Sequence, residues 1–188
     1  MIYGVDDVSR RQYKLFLKDL KTGKTTDLGI KNTSGSAVWA NDNKTIFYTS
    51  KNAETLLSEK IKRHTLGTDV SKDVTVYEEK DKTNYIGVGK SKNEKFIMIY
   101  SGATTSSETR MLDANQPNGD FFVFQPRMKN VLYDVTPLED KFLITTNKDA
   151  LNFKVMETPL NKTGVENWKD FIPHRKDVLM EGISEFKN

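Results

Sequence analysis

The sequence predicts an all-β fold built from a repeated unit of four antiparallel strands. Short apolar runs of strand length recur along the chain, and polar turn residues separate them. No segment keeps the i, i+3, i+4 apolar spacing of a helix for more than a turn or two. The runs group in fours, and the group repeats about every 48 residues. Four-strand meanders with a period of roughly forty to fifty residues are typical of β-propeller blades.

The central unit shows the pattern most clearly. Its first strand is predicted at YIGVG, from Tyr85, and its second at KFIMIYS, from Lys95, with the polar turn KSKNE between them. The third run is ETRMLDA and the fourth is FFVFQPR, joined by the glycine-containing turn NQPNGD. Aligning the second strands of successive units places Phe47, Phe96 and Phe142 in equivalent positions. This alignment sets the period of the repeat.

The repeat makes the chain one partial propeller domain. We expect an incomplete β-propeller with about three whole blades and parts of two more. MIYGV, YKLFLKDL and TTDLGI supply the second to fourth strands of the first partial blade, and GISEF at 182–186 is predicted to be the first strand of the last. The predicted boundaries are 1–30 for the end of a blade, 31–82, 83–130 and 131–176 for whole blades, and 177–188 for the start of the next blade.

The segment GVGKS, residues 87–91, resembles the closing half of a phosphate-binding loop. That loop follows the pattern G-x-x-x-x-G-K-[ST] and leads from a buried strand into a helix. Asn84 stands where the first glycine belongs, and the following KFIMIYS is typical of a strand. The segment is therefore predicted to be a first strand and a polar hairpin turn, without a nucleotide site. Gly87 and Gly89 are expected to relieve crowding near the propeller axis.

Composition argues against several classes of function. The 29 basic and 26 acidic residues are interspersed and leave a net charge of +3, so no nucleic-acid partner is expected. Because the chain has no cysteine, disulfides and thiolate metal sites are excluded. His64 and His174 lack ligand spacing and are expected in surface or turn positions. We expect no metal and no cofactor.

No membrane association is expected either. No apolar run approaches the ~18 residues of a membrane span. The first residues, MIYGVDDVSRRQ, lack the basic segment followed by an apolar segment that a signal peptide has. We expect a cytoplasmic protein, or a periplasmic one if a signal segment has been removed.

Several segments are more distinctive than generic blade sequence. They are SRRQYKLFLKDLKTGK, VWANDNKTIFYTSK, KIKRHTLGT, VYEEKDKTNYIGVGKSKNEKFIMI, ATTSSETRMLDA and FFVFQPR. In this order, from about Tyr3 to Phe186, the chain resembles the N-terminal propeller of the oligopeptidase B (protease II) group in the prolyl oligopeptidase family of serine peptidases. The resemblance implies a fragment of a seven-bladed propeller that forms a lid on an α/β-hydrolase domain with a Ser, Asp and His triad. It also implies hydrolysis of short peptides after Lys or Arg.

The chain lacks the catalytic part of such an enzyme. A hydrolase nucleophile sits on a G-x-S-x-G turn, and the sequence has none. Ser36 and Ser91 are the nearest glycine-flanked serines, and both fall in strand or hairpin context. No catalytic, cofactor or metal residue is assigned, and the chain alone is expected to be inactive. The resemblance makes the missing hydrolase domain a partner and short peptides the substrates of the parent enzyme.

Charged residues remain open to two interpretations. Asp6 with Asp7, and the acidic cluster at 78–81, could attract cationic peptides but are more typical of solvated turns. The arginines are expected to form ion pairs between blades or domains rather than contacts to substrate. They are Arg10, Arg11, Arg110 and Arg127.

Two further alternatives concern the protein as a whole. A free-standing propeller could instead be a scaffold that binds a protein or peptide partner, because the fold hosts unrelated functions. In either case an open ring leaves blade faces uncovered. This chain is therefore expected to self-associate through those faces or to be only marginally stable. The alternative is that the partial blades at its ends fold over these faces and cap them.

Overall fold

The computed structural model describes residues 1–186, which form four antiparallel sheets. Sheet 1 contains β1 (Ile2–Val5), β2 (Lys14–Lys18) and β3 (Thr25–Asp27). Sheet 2 contains β4 (Thr33–Trp39), β5 (Thr45–Lys51), β6 (Ser58–Thr65) and β7 (Val74–Glu78). Sheet 3 contains β8 (Tyr85–Lys90), β9 (Phe96–Gly102), β10 (Ser107–Asp113) and β11 (Phe122–Val123). Sheet 4 contains β12 (Tyr133–Pro137), β13 (Lys141–Thr146), β14 (Lys154–Pro159) and β15 (Lys169–Ile172).

Every sheet is a meander in which strands adjacent in sequence are hydrogen-bonded neighbours. Sheets 2, 3 and 4 have four strands each, and sheet 1 has the three predicted from its sequence. The GVGKS segment lies in β8, whose Gly89 pairs with Met98 of β9. The predicted fold class, an incomplete propeller of antiparallel four-stranded units, is confirmed.

Helical structure is limited, within residues 1–186, to two single turns of 3-10 helix, Val70–Lys72 and Val165–Asn167. Each turn connects the third and fourth strands of its sheet. The Asp69 side chain caps the first turn by accepting a hydrogen bond from Ser71 N at 2.8 Å. Neither turn has the length or apolar character to cross a membrane.

Successive sheets pack face to face through three hydrophobic cores. Because each central strand is covered on both faces, its side chains are apolar at consecutive positions. In β9, Ile97 and Ile99 belong to the core with sheet 2, whereas Met98 belongs to the core with sheet 4. The core between sheets 1 and 2 contains the fully buried Leu15 and Ile46.

Aromatic side chains dominate the core between sheets 3 and 4. Phe124 meets Phe142 edge-on, with ring centroids 5.0 Å apart at an interplanar angle of 89°. Trp168 packs against Tyr133 at 5.6 Å and donates its indole N–H to the Thr163 carbonyl at 2.7 Å. Such pairs contribute about 0.5–1.5 kcal/mol each beyond the area they bury. This seam is therefore stabilised by specific ring geometry as well as by burial.

Sheets 1 and 2 approach most closely at two glycines. A Cβ built on Gly4 of β1 would lie 2.4 Å from the carbonyl oxygen of Gly35. Gly35 has φ of +93°, and a Cβ there would lie 2.8 Å from the Tyr13 ring. This contact occurs at a bulge in β4, where Thr33 pairs with Ser50 and the next pair is Ala37 with Tyr48. Glycine at both positions permits direct backbone packing of the two sheets.

The predicted first strand at residues 182–186 is not formed. The segment lies beside sheets 3 and 4, where the Glu185 carbonyl accepts from Lys92 Nζ and Lys92 lies 4.7 Å from the centre of the Phe186 ring. A strand requires a ladder of hydrogen bonds to a neighbour. Residues 182–186 form no such ladder, so the predicted strand is not observed there, and the assignment of 177–188 to the start of a further blade stays a prediction.

The predicted crowding at Gly87 and Gly89 is also wrong for the described residues. A Cβ on Gly87 would meet no atom within 4 Å, and one on Gly89 would make an ordinary 3.4 Å contact with Tyr100. Residues 1–186 supply only part of a ring, so few side chains reach this face of β8. The close approach that requires glycine occurs instead at Gly4 and Gly35.

We predict opposite effects for two matched glycine substitutions. Gly4→Ala should destabilise the fold by about 1–3 kcal/mol, because the new methyl overlaps the Gly35 backbone. Gly87→Ala should be neutral or stabilise by up to about 1 kcal/mol, because space is open and the unfolded chain loses freedom. Denaturant unfolding of both variants measures the difference. Equal effects would contradict the close contact between sheets 1 and 2.

Candidate functional site

The first strands of the whole sheets, β4, β8 and β12, form the side of the molecule that a propeller turns towards its axis. On this side, sheet 3 presents two accessible tyrosines, Tyr85 (74% exposed) and Tyr100 (38% exposed). Gly87 pairs with Tyr100 and leaves the space above it open. Both tyrosine side chains are therefore accessible next to an open position on sheet 3.

The carboxyl groups of Asp134 and Glu185 lie near Tyr100. Partial burial raises the pKa of Asp134 on β12, and the nearby Glu185 carboxylate raises it further. The pKa of Tyr100 is raised to about 12, mainly because the side chain is buried and to a smaller extent because of the charges of Asp134 and Glu185. Neither carboxylate forms an ion pair within residues 1–186. This surface can attract cationic groups by long-range electrostatics.

A polar cluster joins sheets 2 and 3 at the edge where the chain crosses between them. The Glu79 carboxylate, just after β7, accepts from Ser101 Oγ of β9 at 2.6 Å and from the Tyr77 hydroxyl at 2.8 Å. Arg127 donates to the same Ser101 hydroxyl at 2.7 Å and lies 3.9 Å from Glu79. It also donates to the Ser106 carbonyl at 3.1 Å. The Ser101 hydroxyl thus bridges the Glu79 carboxylate and the Arg127 guanidinium.

The pKa of Glu79 is held below its usual range. Burial alone would raise it, but hydrogen bonds from Ser101, Tyr77 and the Asp81 backbone N–H outweigh that effect. The charged carboxylate is therefore the form that the folded protein favours. Among the predicted solvated acids, Glu79 is the exception, because it lies largely inside the seam between sheets 2 and 3.

The arginines have different environments. Arg127 forms the predicted contact between sheets, whereas Arg110 pairs at 2.8 Å with Glu108 of its own strand and lies over the Tyr77 ring. Arg110 Nε is buried with no hydrogen-bond partner among the described residues. Within residues 1–186, the side chains of Arg10 and Arg11 form no ion pair. Their backbone N–H groups donate hydrogen bonds to the Asp6 carboxylate.

The prediction for His64 is wrong. The side chain is 2% exposed, and its Nδ1 lies 2.6 Å from Asp73 Oδ1. The Tyr48 hydroxyl donates to the other carboxylate oxygen at 2.7 Å, which completes a buried polar triad. Burial, aided by the Asp73 carboxylate, raises the pKa of Tyr48. Sequence spacing shows no sign of this triad, because its members come from three separate segments.

Neither glycine-flanked serine has a catalytic environment. Ser91 Oγ donates to Asn93 and accepts from Phe96 N, so it stabilises the hairpin turn after β8. Ser36 Oγ lies 3.4 Å from Ser34 Oγ in the β4 bulge. Neither serine is hydrogen-bonded to a histidine within residues 1–186. That part of the chain also contains no group of three or more His, Cys, Asp or Glu arranged to hold a metal.

The relationship of the chain to known proteins follows from its sequence over its whole length. Residues 1–188 match the family model described as the prolyl oligopeptidase N-terminal beta-propeller domain. The chain belongs to this family. It is 42% identical over 187 residues to dipeptidyl aminopeptidase BI of Pseudoxanthomonas mexicana, with 99% of the chain covered. It is 38% identical over 183 residues to Protease 2 of Moraxella lacunata, with 91% covered.

Solved structures of the prolyl oligopeptidase family agree with this assignment. Oligopeptidase B from Leishmania major superposes with a TM-score of 0.86 over 96% of the chain at 28% identity. The closed form of oligopeptidase B from Trypanosoma brucei, with covalently bound antipain, gives 0.84 over 98% at 28% identity. The chain spans 26% of the length of each of these two structures and of each curated relative named above. It therefore corresponds to part of the propeller region of such peptidases.

We predict that the Glu79 carboxylate stabilises the seam between sheets 2 and 3. Glu79→Gln should lower the free energy of unfolding by about 1–2 kcal/mol near neutral pH, since hydrogen bonds to a charged group are weakened. Glu78→Gln is the matched control, because Glu78 is exposed and its carboxylate lies 3.4 Å from Lys60 Nζ at the surface. The control should change stability by less than about 0.5 kcal/mol.

The effect of Glu79→Gln should depend on pH. The folded pKa lies below the unfolded value, so the stabilisation is complete above the unfolded pKa and is lost as pH falls through the folded one. The difference from the unsubstituted protein should be full above about pH 5 and shrink below about pH 4. Chemical unfolding across this range measures it. A constant difference at every pH would show that the charge of Glu79 is not involved.

Proposed function

We propose that this propeller restricts access to the active site of a serine peptidase, so that short peptides enter and folded proteins do not. The proposal is carried by the match to the family's propeller domain over residues 1–188, combined with a length that is 26% of the relatives. A closed ring of twisted sheets leaves only a narrow axial passage. Exclusion by size then requires no specific contact with the excluded protein.

In this proposal the bond-breaking residues lie outside the chain. A Ser, Asp and His triad on an α/β-hydrolase domain would supply the nucleophile, the base and the group that orients the base. The propeller would form one wall of the enclosed site. Movement of the propeller against the hydrolase domain, on the slower timescale of domain motions, would admit substrate and release product.

We further propose that the parent enzyme cleaves short peptides after Lys or Arg. Similarity to Protease 2 and to two oligopeptidase B structures supports this specificity. Carboxylates that recognise the cationic side chain would lie beside the nucleophile, in the hydrolase domain. The negative surface around Asp134 and Glu185 would favour the approach of cationic peptides without forming the specificity pocket.

A second specificity is favoured by one observation. The relative that shares 42% identity with the chain is named dipeptidyl aminopeptidase BI. An enzyme of that type would release dipeptides from a free amino terminus. Internal cleavage after a basic residue would not require that terminus.

Assays of the full-length protein separate these specificities. We expect hydrolysis of a short fluorogenic peptide with Arg before the scissile bond and a blocked amino terminus. Activity only on substrates with a free terminus would select the dipeptidyl activity instead. The same cleavage sequence placed inside a folded protein should react at least about tenfold more slowly. Lack of all peptidase activity would contradict the proposed function, and this chain alone serves as the inactive control.

We also propose that the chain, taken alone, self-associates through its uncovered faces. Ile2 and Leu15 face sheet 2, so the alternate residues of sheet 1 point away from it. Two of them, Tyr3 and Phe16, stack at 5.7 Å with an interplanar angle of 23°. Tyr3 and Phe16 are half-buried, and in β15 Phe171 and Ile172 are exposed. A second copy could cover such apolar surface.

Sedimentation at several concentrations tests this association. Phe16→Lys should shift the chain towards monomer, because it places a charge on the uncovered face of sheet 1. Val74→Lys is the matched control, since Val74 is exposed in β7. It should leave the association unchanged. A monomer at every concentration, with a sharp and high unfolding midpoint, would show that the faces are already covered.

A further inference from the structure

The turn between β10 and β11 contains the dipeptide Asn118–Gly119, and Asn-Gly occurs nowhere else in the chain. Glycine has no Cβ, so its backbone nitrogen can approach the side-chain amide carbon of a preceding asparagine. In that reaction the nitrogen loses its proton to solvent and bonds to Cγ, and the side-chain amide takes up a proton and leaves as ammonia. Water then opens the cyclic imide to aspartate or isoaspartate. Both residues are exposed, so water reaches them.

The fold holds this turn in a conformation that opposes the reaction. The Gly119 N–H donates to the Gln116 carbonyl at 2.9 Å, which is the hydrogen bond that closes a β-turn. The attacking nitrogen therefore points towards Gln116 and retains its proton. A Cβ on Gly119 would lie 3.2 Å from Leu112 Cδ1, so the main chain packs closely on sheet 3. Rotation of the nitrogen towards Asn118 Cγ would break the hydrogen bond and disturb this packing.

A side chain from sheet 2 fixes the same turn. Arg63 of β6 donates from Nη1 to the Pro117 carbonyl at 2.9 Å. Pro117 is buried, although Asn118 and Gly119, which follow it, are exposed. A hydrogen bond from a charged donor is stronger than one between neutral groups. The contact across the seam between sheets 2 and 3 therefore helps to keep the turn closed.

We propose that Asn118 is a site of spontaneous deamidation whose rate is controlled by the contact between Arg63 and Pro117. The inference does not depend on the proposed function. Local opening of the turn would release the Gly119 nitrogen, whereas the closed turn protects the asparagine. An isoaspartate product adds one carbon atom to the main chain and would distort the turn that presents the Pro117 carbonyl to Arg63. Modification would thus weaken the contact that had limited it.

Peptide mapping by mass spectrometry measures the fraction of Asn118 converted while the 188-residue chain is incubated at mildly alkaline pH. Conversion should be at least about tenfold slower in the folded chain than in the same chain in denaturant, because the turn must open first. Equal rates would show that the fold gives no protection. Absence of conversion in denaturant would show that Asn118 is not a deamidation site.

Three substitutions test the control by Arg63. Arg63→Met keeps the aliphatic part of the side chain but removes the donor, so it should raise the rate in the folded chain by at least about threefold. Lys62→Met is the matched control and should leave the rate unchanged, because consecutive side chains of β6 point to opposite faces. Gly4→Ala, at the distant contact between sheets 1 and 2, controls for a general loss of stability. An unchanged rate in Arg63→Met, or an equal increase in Gly4→Ala, overturns the role of Arg63.

Discussion

Each sheet of this protein has two apolar faces, and only a neighbouring sheet on each side can cover both. Sheets 2 and 3 meet this condition, which explains why β5 and β9 are buried at successive positions such as Ile46 and Phe47. Burial of one such side chain contributes about 1.5–3 kcal/mol relative to exposure. The stacking of sheets is therefore the source of stability on which the strands, turns and polar contacts depend.

The repeat could be predicted from sequence because residues close together in the chain determine each strand and each turn. Alternation of apolar runs with turns such as KSKNE locates the strands, and the spacing of Phe47, Phe96 and Phe142 locates the sheets. Contacts between distant segments leave no such pattern. The buried pair of His64 with Asp73 and the Glu79 cluster both depend on how loops fold over a sheet.

The features that sequence analysis missed depend on contacts between sheets rather than on local composition. Gly87 was expected to relieve crowding near the propeller axis, and residues 182–186 were expected to form the first strand of a further blade, but neither environment is found among residues 1–186. The β4 bulge escaped prediction because SGSAV keeps a strand-like composition while its register changes. Composition predicts that a strand forms, whereas register is decided by packing against sheet 1.

The seams between sheets differ in chemistry, and this affects how each seam responds to pH and to substitution. Sheets 3 and 4 meet through aromatic rings, whose burial does not depend on pH. Sheets 2 and 3 combine an apolar core with the cluster of Glu79, Ser101 and Arg127. A buried charge that loses its partner is costly, so substitutions in this cluster are coupled to one another.

The meander order has a consequence for how the chain acquires its structure. Since every strand pairs with its neighbour in sequence, ladder formation closes only short loops, and the entropy lost in closing them is small. Synthesis on the ribosome delivers the sheets in the same order in which they stack. Each finished sheet can then act as a template for the next, so the nascent propeller can grow by successive addition of blades.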